Sequence, residues 1–281
     1  MKQLALSIAL SLFITPTLHA QARDIPSAGP THPSNETQDQ RGRKLLDQML
    51  EALGGDAWLN RHNQRVVGHL GRFFSGAPTG IVVDFTSTHQ FASGGRPEAT
   101  RAGFLTDKSM ILPGKKIDVV QIWASNTGYE ITYKGKLTLP RDQIDDFYRR
   151  QDHSIESIFR VWLKAPGVMV VAEGSTMVER RLTERVTVLS DNNDAVTVDI
   201  DAQTHLPRRR TFEWRNTTFK DHDEDAEEYD DYHDVQGLPT PYTISRYHDG
   251  DLASQTFLTK IEYDVDLPPD FFTQEILVKK K

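Results

Sequence analysis

The densest group of chemically capable side chains is Asp221-His222-Asp223-Glu224-Asp225-Ala226-Glu227-Glu228, with His233 and His248 following it. Hard cations such as calcium bind clustered carboxylate oxygens. An EF-hand frame opened at Asp221 puts Ala226 where the loop needs Gly and Tyr232 where it needs Glu, so that motif fails. Like charges this dense repel one another, and the segment is predicted to be a solvated acidic hairpin loop, with an irregular calcium site as the alternative. His222, His233 and His248 could serve a divalent metal, but neither H-E-x-x-H nor H-x-H occurs. His69 and His89 lie on mixed strand faces and read as satisfied surface or core residues. Asp199 with Asp201, or Asp230 with Asp231, could be drawn as acid–base pairs. A chain with 40 Asp and Glu yields such pairs by chance, and adjacent strand residues point to opposite faces. G-x-S-x-G, P-loop and G-x-G-x-x-G patterns are all absent, so serine-hydrolase and nucleotide chemistry have no local anchor. The residues therefore nominate no catalytic group, no metal ligand set and no cofactor.

The one basic cluster in the body of the chain is Arg208-Arg209-Arg210. On a strand, Arg208 and Arg210 share a face that Arg209 opposes. Charge pairing across a sheet to the acidic stretch at 227–231 is the plainer use; an anionic headgroup site is the sharper one. The chain as a whole is acidic, with 33 Lys and Arg against 40 Asp and Glu and a net charge of −7. That balance argues against nucleic acid as a partner, because no excess of positive charge exists to displace counterions. With 0 Cys, disulfide scaffolds, thiolate zinc sites, a Cys nucleophile and a Cys-linked lipid anchor all fall away.

These groups must be positioned by elements that periodicity outlines. Met1-Lys2-Gln3 is a short basic start, the apolar run 4–14 follows, Pro16 stops it, and Ala20-Gln21-Ala22 is a small-residue cleavage site. The run is about half of the ~20 apolar residues a bilayer crossing needs. Residues 1–22 are expected to be a cleaved secretory signal, and 23–41, rich in Pro, Ser, Thr, Asn and Gln, a disordered tether. Order is expected from Gly42. Leu45, Leu46, Met49, Leu50 and Leu53 then recur at helical spacing, and Gly54-Gly55 is the stop.

Period-two alternation predicts strands over 66–74, 81–91, 98–105, 117–124 and 129–133, with Gly76-Ala77-Pro78-Thr79-Gly80 as a loop. Strands that follow one another without an interposed helix pair antiparallel. One helical insertion interrupts them: Ile144, Phe147, Tyr148, Gln151, Ile155, Ile158, Phe159 and Trp162 share a face, with a break at His153-Ser154 and an end at Ala165-Pro166-Gly167. Strands resume over 168–172, 182–189, 195–200, 208–214, 227–235, 240–247 and 252–263, with Asp249-Gly250 the strongest hairpin turn.

Three local patterns carry a resemblance. They are Ala52-Leu53-Gly54-Gly55-Asp56-Ala57-Trp58-Leu59 at the end of the first helix, the turn Asp201-Ala202-Gln203-Thr204-His205-Leu206-Pro207 before the basic strand, and Tyr229-Asp230-Asp231-Tyr232-His233-Asp234-Val235-Gln236-Gly237-Leu238-Pro239. With Leu267-Pro268-Pro269-Asp270-Phe271-Phe272 near the end and the helical insertion between, the chain resembles the periplasmic lipoprotein-carrier superfamily, the LolA/LolB-like proteins. The resemblance implies an α+β fold: a large, strongly curved antiparallel sheet, an open half-barrel whose concave face is covered by two or three helices and can hold acyl chains.

On that basis residues 42–275 are expected to form one half-barrel domain, followed by a basic tail at 276–281. The expected activity is non-enzymatic binding of a lipid, a lipoprotein acyl chain or another hydrophobic ligand. The protein is expected in the periplasm or otherwise exported, with no transmembrane segment in the mature chain and with other envelope proteins as further partners. Trp123, Ile155, Ile158, Phe159 and Trp162 are the candidate hydrophobic lining, the last four as a lid over the concave face. Two alternatives stand beside this: an envelope hydrolase or metal-dependent enzyme using the acidic, His-bearing stretch at 221–234, and a partner-binding module whose interior is filled by its own side chains.

Overall fold

The computed structural model describes residues 37–92, 97–105, 117–216 and 221–273. The predicted signal, most of the predicted tether and the basic tail lie outside these residues. Helix α1 (Gln38–Leu53) starts ahead of Gly42 because Thr37 and Gln40 form a reciprocal cap: Thr37 Oγ1 accepts from the Gln40 N–H at 3.2 Å, and Gln40 Oε1 accepts from the Thr37 N–H at 3.0 Å. Gly54, at φ 118°, ends it in the left-handed region, and the short helix α2 (Gly55–Leu59) follows.

The strands are β1 (Asn63–Phe74), β2 (Ala77–Gln90), β3 (Ala99–Leu105), β4 (Ile117–Ala124), β5 (Thr127–Thr132) and β6 (Gly135–Thr138). After the helical insertion come β7 (Met169–Val178), β8 (Arg181–Leu189), β9 (Ala195–Asp201), β10 (Pro207–Arg215), β11 (His222–Val235), β12 (Leu238–His248) and β13 (Asp251–Tyr263). Among the described residues all of them join one antiparallel sheet in the order β6-β5-β4-β3-β2-β1-β13-β12-β11-β10-β9-β8-β7. The sheet is two meanders zipped together where β1 pairs with β13, and β6 and β7 are left as its two edges.

The connection between those edges explains the helical insertion. Helices α3 (Arg141–Asp152) and α4 (Ile155–Arg160), with a single 3-10 turn at Trp162–Lys164, run from edge strand β6 to edge strand β7. Helix α3 touches both halves of the sheet. Its Phe147 ring stacks on Trp123 of β4 at 4.6 Å, and its Tyr148 hydroxyl donates to Thr127 O of β5 at 3.2 Å. On the other side, the Arg149 guanidinium lies 4.5 Å over the Trp214 ring of β10, and Asp146 lies 3.7 Å from Arg246 of β12. Helices thus occupy the gap that a further strand pairing would have closed.

Helix α1 lies across one face of the sheet, contacting β7, β8 and β12. Strands β12 and β7 are five positions apart, about 24 Å, which is the length of a 16-residue helix at about 1.5 Å per residue. Its start meets β7 at Gly42 and its end meets Leu238 of β12 at Gly54. The largest apolar cluster lies there, joining Leu46, Met49 and Leu53 of α1 to Val186, Val188, Val196, Val198 and Ile200 of β8 and β9. Gly42 is the point of closest approach: a Cβ there would lie 2.7 Å from Val170 Cγ1 and 3.2 Å from the Ala172 nitrogen.

Three local expectations change. The loop placed at 76–80 shrinks to a two-residue turn, Ser75-Gly76, both at positive φ, and Ala77 already pairs with Phe74. Pro78 is tolerated because it sits beside a bulge, opposite Phe73. The short edge strand β6 is additional, since four residues show too little alternation to be read. The acidic stretch that was expected to form a solvated loop is the first half of β11.

Candidate functional site

Glu227 occupies the centre of a cross-strand row, opposite Arg210 of β10 on one side and Arg246 of β12 on the other. Arg210 is fully buried, with Nη2 3.0 Å from Glu227 Oε2. The same oxygen accepts the Tyr229 hydroxyl at 2.9 Å. Arg246 turns diagonally to Asp225, whose Oδ2 accepts from Nε at 2.8 Å and lies 2.6 Å from Nη2. Arg208 reaches Asp230 at 2.9 Å. Arg209, on the opposite face, lies 3.6 Å from Glu228 and 3.7 Å from Glu224. The arginine triplet therefore pairs across the sheet with the acidic stretch, and this neutralisation is what lets a run of carboxylates form a strand instead of a solvated loop.

Electrostatics follows from burial and pairing. Burial pushes the Glu227 carboxyl up, but Arg210 and the Tyr229 hydroxyl outweigh it and hold the group below the ordinary value. Tyr229 is pushed well above its ordinary value by burial and by the Glu227 charge. Asp225 has the reverse balance: burial raises its carboxyl despite Arg246. Among the described residues no group of three or more His, Cys, Asp or Glu is placed to hold a metal ion.

A helical cover lies over this sheet face. Trp58 of α2 meets Phe159 of α4 edge-on at 6.0 Å. Arg61, 3% exposed, donates from Nε to Trp58 O at 2.8 Å and from Nη2 to Glu156 Oε1 at 3.2 Å. Its guanidinium sits over the Trp58, Tyr263 and Phe91 rings at 4.4, 4.9 and 5.0 Å.

Between cover and sheet lie two cavities, of about 360 and 410 Å³. Trp58, Ile155 and the rings of Tyr229, Tyr232 and Tyr263 line the first; Val66, Phe85, Phe91 and His89 line the second. Gln64, Gln151, Ser154, Glu156 and Glu227 border both, together with the apolar Ile244 and Leu258, so the cavities meet at a waist with five polar and two apolar side chains. Tyr229 and Tyr232, which strict alternation would send to opposite faces, both reach the first cavity because Asp231 between them turns the strand at φ 55°.

The candidate lining residues divide. Ile155 borders the first cavity. Ile158, Phe159 and Trp162 are buried members of the main apolar cluster and line neither cavity. Trp162 also donates from Nε1 to Asp152 O at 2.7 Å. Trp123 lines neither cavity but stacks on Phe147, which borders the first. Sequence reading placed Gln151 on the apolar face of the helical insertion without a role in the lining, and passed over Gln64, Glu156 and Arg61. A lone amide on an apolar helical face and the Tyr229 to Tyr232 motif are the signals that point to the cavity wall, whereas a single amide on a strand carries none. His69 and His89 are satisfied as expected, by Asp84 and by Thr100 and Glu98.

No family model and no curated protein matches this chain. Solved structures do. A DUF1329 family protein from Desulfovibrio piger superposes with a TM-score of 0.56 at 12% identity, covering 84% of this chain and 97% of that one. A candidate outer-membrane lipoprotein-sorting protein domain from Vibrio parahaemolyticus superposes with a TM-score of 0.51 at 8% identity, covering 82% of this chain and 97% of that one. The open antiparallel sheet with helices across its gap is a LolA/LolB-like fold.

Proposed function

We propose that this protein is a non-enzymatic, cell-envelope binder of a lipid or another hydrophobic ligand, which it holds between the helical cover and the sheet. The observation that carries the reading is the pair of adjoining cavities. Their volumes fall in the ~300–1,000 Å³ range of small-molecule sites, and a module serving only as a scaffold would fill that space with its own side chains. The LolA/LolB-like fold, shared with a candidate lipoprotein-sorting domain, supports it. So does the secretory signal read at 1–22. Among the described residues no helix is long and apolar enough to cross a membrane. The test is native mass spectrometry of protein purified from the periplasm without detergent, together with titration of the neutral fluorophore N-phenyl-1-naphthylamine. Co-purified acyl lipid and saturable fluorescence enhancement are expected. Protein that is empty and fails to bind the fluorophore would overturn the reading.

A further inference from the structure

The waist between the cavities indicates what kind of head group a ligand carries, given that the cavities are its site. Every formal charge bordering the waist and the first cavity already has a protein partner: Glu156 with Arg61, Glu227 with Arg210 and Tyr229, and Arg150 with Asp146. Two groups there are uncommitted. The carboxamides of Gln64, on β1, and Gln151, on α3, border both cavities and make no side-chain hydrogen bond to protein among the described residues. Ser154 Oγ accepts from the Ser157 N–H at 3.1 Å and keeps its own proton free. Sheet and cover thus each contribute an unpaired amide, able to donate and to accept.

We infer that the waist binds the uncharged polar group of an amphiphile, an ester, amide or hydroxyl, through Gln64 and Gln151, with the apolar chain in the adjoining cavities against Trp58 and Ile155 or Val66, Phe85 and Phe91. An ionised head group has no such place. At the waist a carboxylate would approach Glu156 and Glu227, and an ammonium would approach Arg61 and Arg150, with the counter-charges there already engaged; Glu98, away from the waist on the second cavity, lies 3.1 Å from His89. A buried charge without a partner is strongly disfavoured. A neutral head group needs only hydrogen bonds, which the amides supply.

The test uses three amphiphiles with one chain length, 1-monolauroylglycerol, laurate and dodecylammonium, competing against N-phenyl-1-naphthylamine on the full chain. Monolauroylglycerol is expected to bind about tenfold more tightly than either ion. The Gln64→Leu, Gln151→Leu double variant should lose that preference, measured against its own fluorophore affinity, with circular dichroism reporting an intact sheet. Equal or tighter binding of laurate or dodecylammonium, competition by none of the three, or a double variant that keeps the preference would overturn the inference and leave the cavity reading standing. Absence of fluorophore binding by the unaltered protein would instead remove the cavity reading, and this inference with it. A double variant that fails to bind the fluorophore is replaced by Gln151→Glu, whose added carboxylate should pair with dodecylammonium and abolish the monolauroylglycerol preference over that ion while leaving laurate the weakest of the three; an unchanged preference over dodecylammonium overturns the inference.

Discussion

Arg210 and Glu227 face each other directly across β10 and β11, and the arginine is buried as completely as any core valine. A charge so placed is tolerated only because its partner stays ionised, and the Glu227 carboxyl is held below its ordinary value by that same arginine against the push of burial. Removing one partner strands the other. Arg210→Ala should therefore cost about 3–5 kcal/mol in urea denaturation. Arg210→Met combined with Glu227→Gln should recover much of that, since Gln still accepts the Tyr229 hydroxyl. A loss below about 1 kcal/mol for Arg210→Ala would show that the pair is not the determinant it appears from its burial.

Asp201 makes the turn before β10 sensitive to acid. Burial raises its carboxyl, but the backbone N–H groups of Thr204 and Gln203, at 2.9 and 3.0 Å from Oδ1, outweigh that and hold it below the ordinary value. Its contribution to stability is present above the unfolded-state value near 3.8 and is lost as pH falls through the lower folded value. Asp201→Asn keeps an accepting oxygen but cannot titrate. It should cost no more than about 1 kcal/mol at neutral pH and should flatten the acid limb of stability. Asp225, raised by burial, acts in the opposite sense, so the diagnostic quantity is the difference between variant and unaltered protein. Urea midpoints between neutral pH and pH 3 measure it, and parallel acid limbs would refute the assignment.

At Gly42 a helix touches a strand. Alanine is favoured over glycine in a helix by about 1 kcal/mol, but its methyl would meet Val170 Cγ1 at 2.7 Å and the Ala172 backbone at 3.2 Å. Overpacking of that kind costs about 1–3 kcal/mol and should win. Gly42→Ala is expected to destabilise, and Val170→Ala in the same chain should narrow the deficit. A stabilised Gly42→Ala protein would mean that α1 can lift off β7 without loss.

How far the fold could be read from the residues depended on whether a pattern was local. The α1 apolar stripe, the alternation along β1 to β5 and the break at His153-Ser154 are all periodic features, and the structure follows them. The β11 start was hidden because a run of carboxylates reads as solvated until its partners are known, and those partners, Arg210 and Arg246, lie on other strands. Of the proposed ligand site, the sequence pointed to Ile155, which borders the first cavity, and through the Tyr229 to Tyr232 motif to part of the same wall. Gln64 and Gln151 are brought together by the cover crossing from one sheet edge to the other, a relationship no window of sequence contains.

Ile155 and Trp162 differ in surroundings within one helical insertion, the first bordering a cavity and the second lining none. Both belong to its apolar face, and on helical spacing alone both would line a ligand. In the fold, Ile155 follows the Ser154 cap and borders the first cavity, whereas the Trp162 indole is 9% exposed in the main apolar cluster, tied to Asp152 O and 5.3 Å from the His153 ring. Trp162→Ala should destabilise the fold by about 3–5 kcal/mol and leave the affinity for N-phenyl-1-naphthylamine unchanged in the fraction still folded. Ile155→Ala removes part of the cavity wall. It should weaken the fluorophore by roughly fivefold, the equivalent of about 1 kcal/mol of lost apolar contact. Fluorescence titration alongside urea denaturation of each variant distinguishes the two roles. A Trp162→Ala protein that keeps its stability but loses the fluorophore would move the indole into the ligand site and make the whole face of the insertion a lid.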